Sequence, residues 1–198
     1  MIATLSSNTF ESSIFVIVFF AWILSDVIGA GLLPRLRQKG RVKTESDQGS
    51  MIVIRIGIFA SFVIGLFFAS NGIALLPEYF FYIGISLMIL GIIIRQWAIR
   101  TLGQFFSLSV KVMKNHRVVD DGPYKVIRHP SYTGTLLTLV GFGISLLQSW
   151  AAVLIILIID GLVFGYRINV EESVLKKNLG NEYLTYMKRT KRLFPYLF

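Results

Sequence analysis

Three short stretches hold the residue types that could do chemistry. The first is Arg128-His129-Pro130-Ser131-Tyr132-Thr133-Gly134, which sets an imidazole, a proline and a phenol side by side just before an apolar run. The second, Asp120-Asp121-Gly122-Pro123-Tyr124, lies upstream, and its Gly-Pro pair predicts a turn that brings Tyr124 near Tyr132. The third is Arg167 with Glu171 and Glu172. Arg167 and Glu171 are four apart, so on a helix they share a face and can form an ion pair. Acids and an arginine beside apolar sequence are costly unless paired or used. The plain alternative for the first stretch is a helix start: Arg128 snorkels, His129 and Pro130 cap, and Tyr132 joins an interfacial aromatic belt.

The elements that must position these residues are set by hydropathy. Of 198 residues, 54% are hydrophobic and only 16% charged, so the bilayer is the expected solvent. Apolar runs at about 13–33, 52–71, 79–99, 133–147 and 150–166 predict five transmembrane helices, the first three near the ~20 residues that cross ~30 Å of hydrocarbon. From Tyr132 to Ile159 only Gln148-Ser149 interrupts the apolar sequence. Charge favours two short spans over one long one. The connections around 71–78 and 148–149 carry no Lys or Arg, and the twenty basic residues gather on one side only if 133–166 forms a short hairpin. The N-terminus is then outside, and the C-terminus and the candidate site are cytoplasmic. Residues 1–12 lack a basic n-region, so the first run reads as a permanent anchor and not a cleavable signal.

The expected fold is therefore an all-α integral membrane protein, a single domain over 1–198. Residues 13–99 form a three-helix membrane part and 100–198 the part that carries the site. Gln38 to Ser50 reads as a polar, mobile loop. Thr101 to Ser131 and Asn169 to Phe198 are longer than connectors need, and surplus polar chain against a bundle is where a site is built. In the second of these, Val174, Leu175, Leu179, Tyr183, Tyr186 and Met187 recur at helical spacing, which predicts a C-terminal amphipathic helix that Pro195 ends.

Several function classes recede. Zero cysteines leave no disulfide framework or cysteine zinc site, and His116 and His129 are not at a ligand spacing on one helix, which argues against a metal. The net charge of +9 is interleaved between spans, as a membrane surface requires, and not collected as for nucleic acid. Gly141-Phe142-Gly143 lies too deep in an apolar helix to cradle a phosphate and reads as a close helix contact. Asp26 and Asp160 are intramembrane acids near the cytoplasmic ends of their spans, read as structural.

In order and spacing, "LGQFF", "HRVVDDGPYKVIRHPSYTG" and "RINVEESVLKKNLGNEYLTYMKRTKRLFP" resemble the isoprenylcysteine carboxyl methyltransferase family and its relatives among the phospholipid N-methyltransferases. The match runs from about Trp97 to Pro195; the first two spans agree only in hydropathy. The resemblance implies an integral-membrane enzyme, without a Rossmann sheet, that binds S-adenosyl-L-methionine on its cytoplasmic side, releases S-adenosyl-L-homocysteine and methylates a lipid-bearing acceptor. By position, His116, Arg117, Val118, Val119, Tyr124, His129, Pro130, Ser131 and Tyr132 would contact the cofactor. Lys111 is a further match, although the loop before His116 is shorter than in the family's animal members. Arg167 and Glu171 fall on the family's substrate-proximal pair, and Glu172 supports the cofactor or the fold. The implied partners are the bilayer and a lipid-linked small molecule or prenylated peptide, and a monomer is compatible with this reading.

Chemistry separates two acceptors. A terminal carboxylate with a pKa of about 3.5 is ionised at neutral pH, needs no general base, and suits Arg167 as its holder. A protonated amine must lose a proton, which would make Glu171 or Glu172 a base and Arg167 a hindrance. Membrane sterol reductases share Arg-His-Pro-x-Tyr but use a nicotinamide and are much longer. A non-enzymatic scaffold would need only the basic surface.

Overall fold

The computed structural model describes residues 9–37, 42–44, 47–113 and 116–195. Five of its helices are long and apolar enough to cross a membrane. α1 (Thr9–Asp26) continues through a π-helical stretch (Val27–Leu32) into the short α2 (Leu33–Arg37). Next come α3 (Ser50–Ser70) and α4 (Phe80–Leu102). α5 (Pro130–Phe142) has a π-helical extension (Gly143–Leu147) and is followed by α6 (Trp150–Leu179) and α7 (Asn181–Arg189). Ile17, Phe20, Phe59 and Leu162 are each more than 60% exposed. Such apolar exteriors suit hydrocarbon as solvent, and the chain is an integral membrane protein.

The structure departs from the sequence expectations in three places. α6 does not stop near 166 but runs on to Leu179, because no breaker intervenes before Gly180, whose φ of 55° ends it. The amphipathic stretch is thus split between the end of α6 and α7. The chain is not wholly helical either: β1 (Val42–Thr44) pairs antiparallel with β2 (Lys111–Met113), tying part of the expected mobile loop to the segment after α4. Residues 38–41 and 45–46 of that loop lie outside the described residues. The third apolar run, expected over about 79–99, continues as α4 to Leu102 and takes Arg100 into the helix.

The expected break at Gln148-Ser149 is present. Gln148 adopts a left-handed φ of 46°, and the Ser149 hydroxyl accepts a hydrogen bond from Ala152 N–H and donates to the Ile73 carbonyl at 2.8 Å. Leu76 N–H donates to Gln148 O at 2.7 Å and Trp150 N–H to Ala74 O at 2.8 Å. The two turns that lack basic residues therefore meet at one end of the bundle.

Small residues let α4 and α5 approach closely. A Cβ on Gly84 would lie 2.7 Å from Gly141 O, and one on Gly134 would lie 2.6 Å from Gly91 O. Gly84 and Gly91 on α4, like Gly134 and Gly141 on α5, are seven residues apart, two turns on one face, so backbone meets backbone along an antiparallel seam. α3 and α6 form a second seam, where the Ser61 hydroxyl donates to both Asp160 oxygens at 3.2 and 3.1 Å. That bond satisfies a fully buried carboxylate and gives Asp160 a structural place. α1 docks on α4 through Asp26, which accepts from Arg95 Nε at 2.6 Å and Nη2 at 3.1 Å.

Candidate active site

One cavity of about 310 Å³ opens between the spans and the segments that follow α4 and α6. Its polar wall starts with residues 116–119. The His116 ring lies 4.9 Å from that of Phe105, and Val118 N–H donates to Glu182 of α7 at 3.1 Å. Burial lowers the His116 pKa, Glu182 partly opposing it, so the ring is neutral at pH 7. Among the described residues, its Nδ1 is buried without a partner. A short 3₁₀ turn (Gly122–Lys125) then presents Tyr124, and the Gly122 φ of 53° explains why glycine stands there. Tyr186 of α7 donates its hydroxyl to Tyr124 O at 2.8 Å. Burial raises the Tyr124 phenol well above its ordinary pKa, with Tyr186 and Glu171 adding to the effect, so it stays protonated.

α5 begins at this wall. Pro130 occupies the first helical turn, where its missing N–H costs nothing. His129, Ser131 and Tyr132 line the cavity, as do Asp26 and Arg95, whose Nη1 donates to Ser131 Oγ at 3.0 Å and Thr135 Oγ1 at 2.7 Å. Trp22, Ile54, Ile58, Leu139 and Phe164, from four different spans, form an apolar wall that continues the cavity between the helices.

The acidic pair on α6 divides its work. The Tyr132 hydroxyl donates to Glu171 Oε1 at 2.6 Å and accepts from Arg167 Nε at 3.1 Å, while the same Nε lies 3.0 Å from Glu171. Glu171 reaches the cavity. Glu172 does not: 1% exposed, it accepts from Arg128 Nε and Arg192 Nη2, both at 2.9 Å, and lies 3.3 Å from His129 Nε2. Arg128 also bonds the Met187 and Thr190 carbonyls, and Arg128 and His129 N–H pair with Lys191 and Arg192 carbonyls. Glu172 therefore clamps the strap after α7 onto the start of α5.

Arg167 is fully buried and lies behind the cavity wall. Besides Tyr132 and Glu171 it bonds Asp47, Ser50 Oγ at 2.6 Å and Leu108 O at 2.8 Å. Of the residues singled out from sequence, His116, Arg117, Val118, Val119, Tyr124, His129, Ser131, Tyr132 and Glu171 line the cavity; Pro130, Arg167 and Glu172 stand behind it. Lys111 lies in β2, and its side chain falls outside the described residues. Sequence reading did not place Asp47, Trp22 or Arg95 in the site. Only Arg95 had a signal, a lone arginine deep in an apolar helix. Tyr183 and Tyr186, which also line the cavity, were visible in the amphipathic spacing.

Comparison with known proteins finds relatives for the segment that carries much of the site. Residues 83–177 match the isoprenylcysteine carboxyl methyltransferase (ICMT) family. The protein-S-isoprenylcysteine O-methyltransferase B of Arabidopsis thaliana is 34% identical over 116 residues, 58% of each chain. A probable protein-S-isoprenylcysteine O-methyltransferase of Oryza sativa subsp. indica is 31% identical over 126 residues, 62% of this chain and 65% of its own. The chain thus spans about three fifths of the length of these relatives. The fold resembles that of the eukaryotic intramembrane Ras methyltransferase ICMT, with a TM-score of 0.61 and 23% identity over 94% of this chain and 65% of that one. Residues 83–177, which carry much of the site, are thus similar to the isoprenylcysteine carboxyl methyltransferase family.

Proposed function

We propose that the protein is a membrane methyltransferase that uses S-adenosyl-L-methionine and methylates the C-terminal carboxylate of an isoprenylcysteine or a similar lipid-linked carboxylate. The observation that carries this reading is the two-sided cavity, polar and aromatic around His116, Tyr124 and Tyr132 and apolar where it runs between the spans at Ile58, Leu139 and Phe164. A water-soluble cofactor and a lipid acceptor can each reach it from their own phase.

The polar wall fits the cofactor. Its aromatic rings can stack on an adenine, the unpartnered His116 Nδ1 offers a polar atom, and Glu171 suits an ammonium. When bound, the cofactor supplies an electrophilic methyl group. His116, Arg117, Val118, Val119, Tyr124, His129, Ser131 and Tyr132 would hold it. Lys111, if it contributes, would do so from β2. Pro130 would fix the turn into α5, and Glu172 would act through the strap after α7, the helix that carries Tyr183 and Tyr186. Arg167 would hold the acceptor carboxylate, oriented by Glu171 and the Tyr132 hydroxyl. An ionised acceptor needs no base, so the protein's task is alignment and exclusion of water. The N-terminus would lie outside and the site on the cytoplasmic side.

One observation favours a second reading. Glu171 faces the cavity while Arg167 is sealed behind it, an arrangement that suits a phospholipid amine as acceptor. Purified protein in bilayers, given labelled S-adenosyl-L-methionine with matched lipidated carboxylates and amines, decides the matter. Transfer to carboxylates alone supports the first reading and transfer to amines alone the second. Absence of S-adenosyl-L-homocysteine binding by calorimetry refutes both.

A further inference from the structure

Two of the partners of Arg167 are carboxylates, Glu171 and Asp47. They are not equivalent. Glu171 is four residues away on the same helix and is held by Tyr132 as well. Asp47 comes from the turn before α3, 120 residues away in sequence, and its side chain is 27% exposed against 0% for Arg167. Its other bonds are to the start of α3: Met51 N–H donates to Asp47 Oδ2 at 3.0 Å and Ser50 N–H to Asp47 O at 2.9 Å. A helix N-terminus stabilises a carboxylate with or without an arginine beside it. Asp47 thus has a partner besides Arg167 at the start of α3, and the residues after it, Gln48 and Gly49, are exposed and carry φ values of 49° and 71°.

We propose that Asp47 occupies the seat on Arg167 that an acceptor carboxylate takes, and that it leaves that seat when the acceptor binds. The inference rests on the carboxylate reading of the function. The exchange replaces one carboxylate by another, so the charge around the buried guanidinium does not change and Arg167 is never left unpaired. It also accounts for an arginine that lies behind Met51, Leu108, Tyr132 and Glu171 and not in the open cavity. Asp47 is then a specificity-determining residue. It competes with anionic acceptors and does not touch neutral ones.

The test measures binding, so it does not depend on turnover. An N-acylated S-isoprenylcysteine and its methyl ester are titrated into wild-type protein, Asp47→Asn and Asp47→Ala in lipid nanodiscs. Asparagine still accepts from Met51 N–H but brings no charge to Arg167. The expected result is about tenfold tighter binding of the free carboxylate to both variants, with the methyl ester unchanged, the size of one hydrogen bond to a charged group. S-adenosyl-L-homocysteine affinity, measured alongside, reports an intact site. Unchanged or weaker carboxylate binding with that affinity intact overturns the proposal, as does tightening that is equal for acid and ester. Failure of wild-type protein to bind S-adenosyl-L-homocysteine counts against the methyltransferase reading and leaves the carboxylate-to-ester comparison to judge Asp47.

Discussion

Exchanging Glu172 for glutamine keeps the side chain's volume and removes its charge. In the native protein this carboxylate, 1% exposed, meets Arg128 and Arg192 at 2.9 Å and His129 at 3.3 Å. Glutamine keeps one acceptor oxygen and turns an amide donor toward one of the two guanidinium groups, which are donors themselves. Breaking a buried ion pair costs about 3–5 kcal/mol. Arg192 is 27% exposed and can turn to water, which sets the expectation at the lower end, about 3 kcal/mol. For a chain of this length that is a fall in melting temperature of roughly 6–12 °C. The loss is local first. Arg128 N–H to Lys191 O, His129 N–H to Arg192 O and Lys191 N–H to Val126 O should open together, so amide exchange at these three positions should quicken on the order of a hundredfold. S-adenosyl-L-homocysteine affinity falls only as a consequence, through Tyr183 and Tyr186. Unchanged exchange at these amides with weakened cofactor binding would refute the reasoning and make Glu172 a direct cofactor ligand.

Other residues make separate predictions. Arg167→Ala leaves Glu171 and Asp47 without their cation and should destabilise the protein by about 3–5 kcal/mol, whereas Arg167→Lys should restore most of that stability but little methyl transfer, since a lysine lacks the planar fork; equal melting of Ala and wild type would count against the hub. Gly91→Leu drives a side chain into Gly134 O, where even a Cβ would lie at 2.5 Å, and should part α4 from α5 with loss of folded protein in detergent by gel filtration. His116 takes up its proton at lower pH when folded than when unfolded, so the unfolded chain binds more protons as pH falls through about 6.5, and stability falls with it. The slope of melting temperature between pH 7.5 and 5.5, on the order of the window just named, should flatten in His116→Gln. An equal slope in both proteins would show that His116 is not the group responsible.

Much of this protein is local in origin and could be read directly. Span number follows from runs of about 20 apolar residues, which depend on neighbours alone. The break at Gln148-Ser149 followed from two polar residues and the placement of Lys and Arg. The residues that line the polar wall sit in two contiguous motifs, 116–124 and 129–132, so their order already implied their proximity. What sequence spacing could not supply is which carboxylate meets which guanidinium. Glu171 and Glu172 are adjacent and chemically alike, yet one faces the cavity and the other is clamped by Arg128 and Arg192, because successive side chains on a helix point about 100° apart. Arg167 looked available and proved enclosed, because Asp47, Ser50 and Leu108 come from segments that only the packing of α3 against α6 and the course of the chain after α4 bring to it. Hydropathy and motif order are properties of the chain, but burial and pairing are properties of the folded whole.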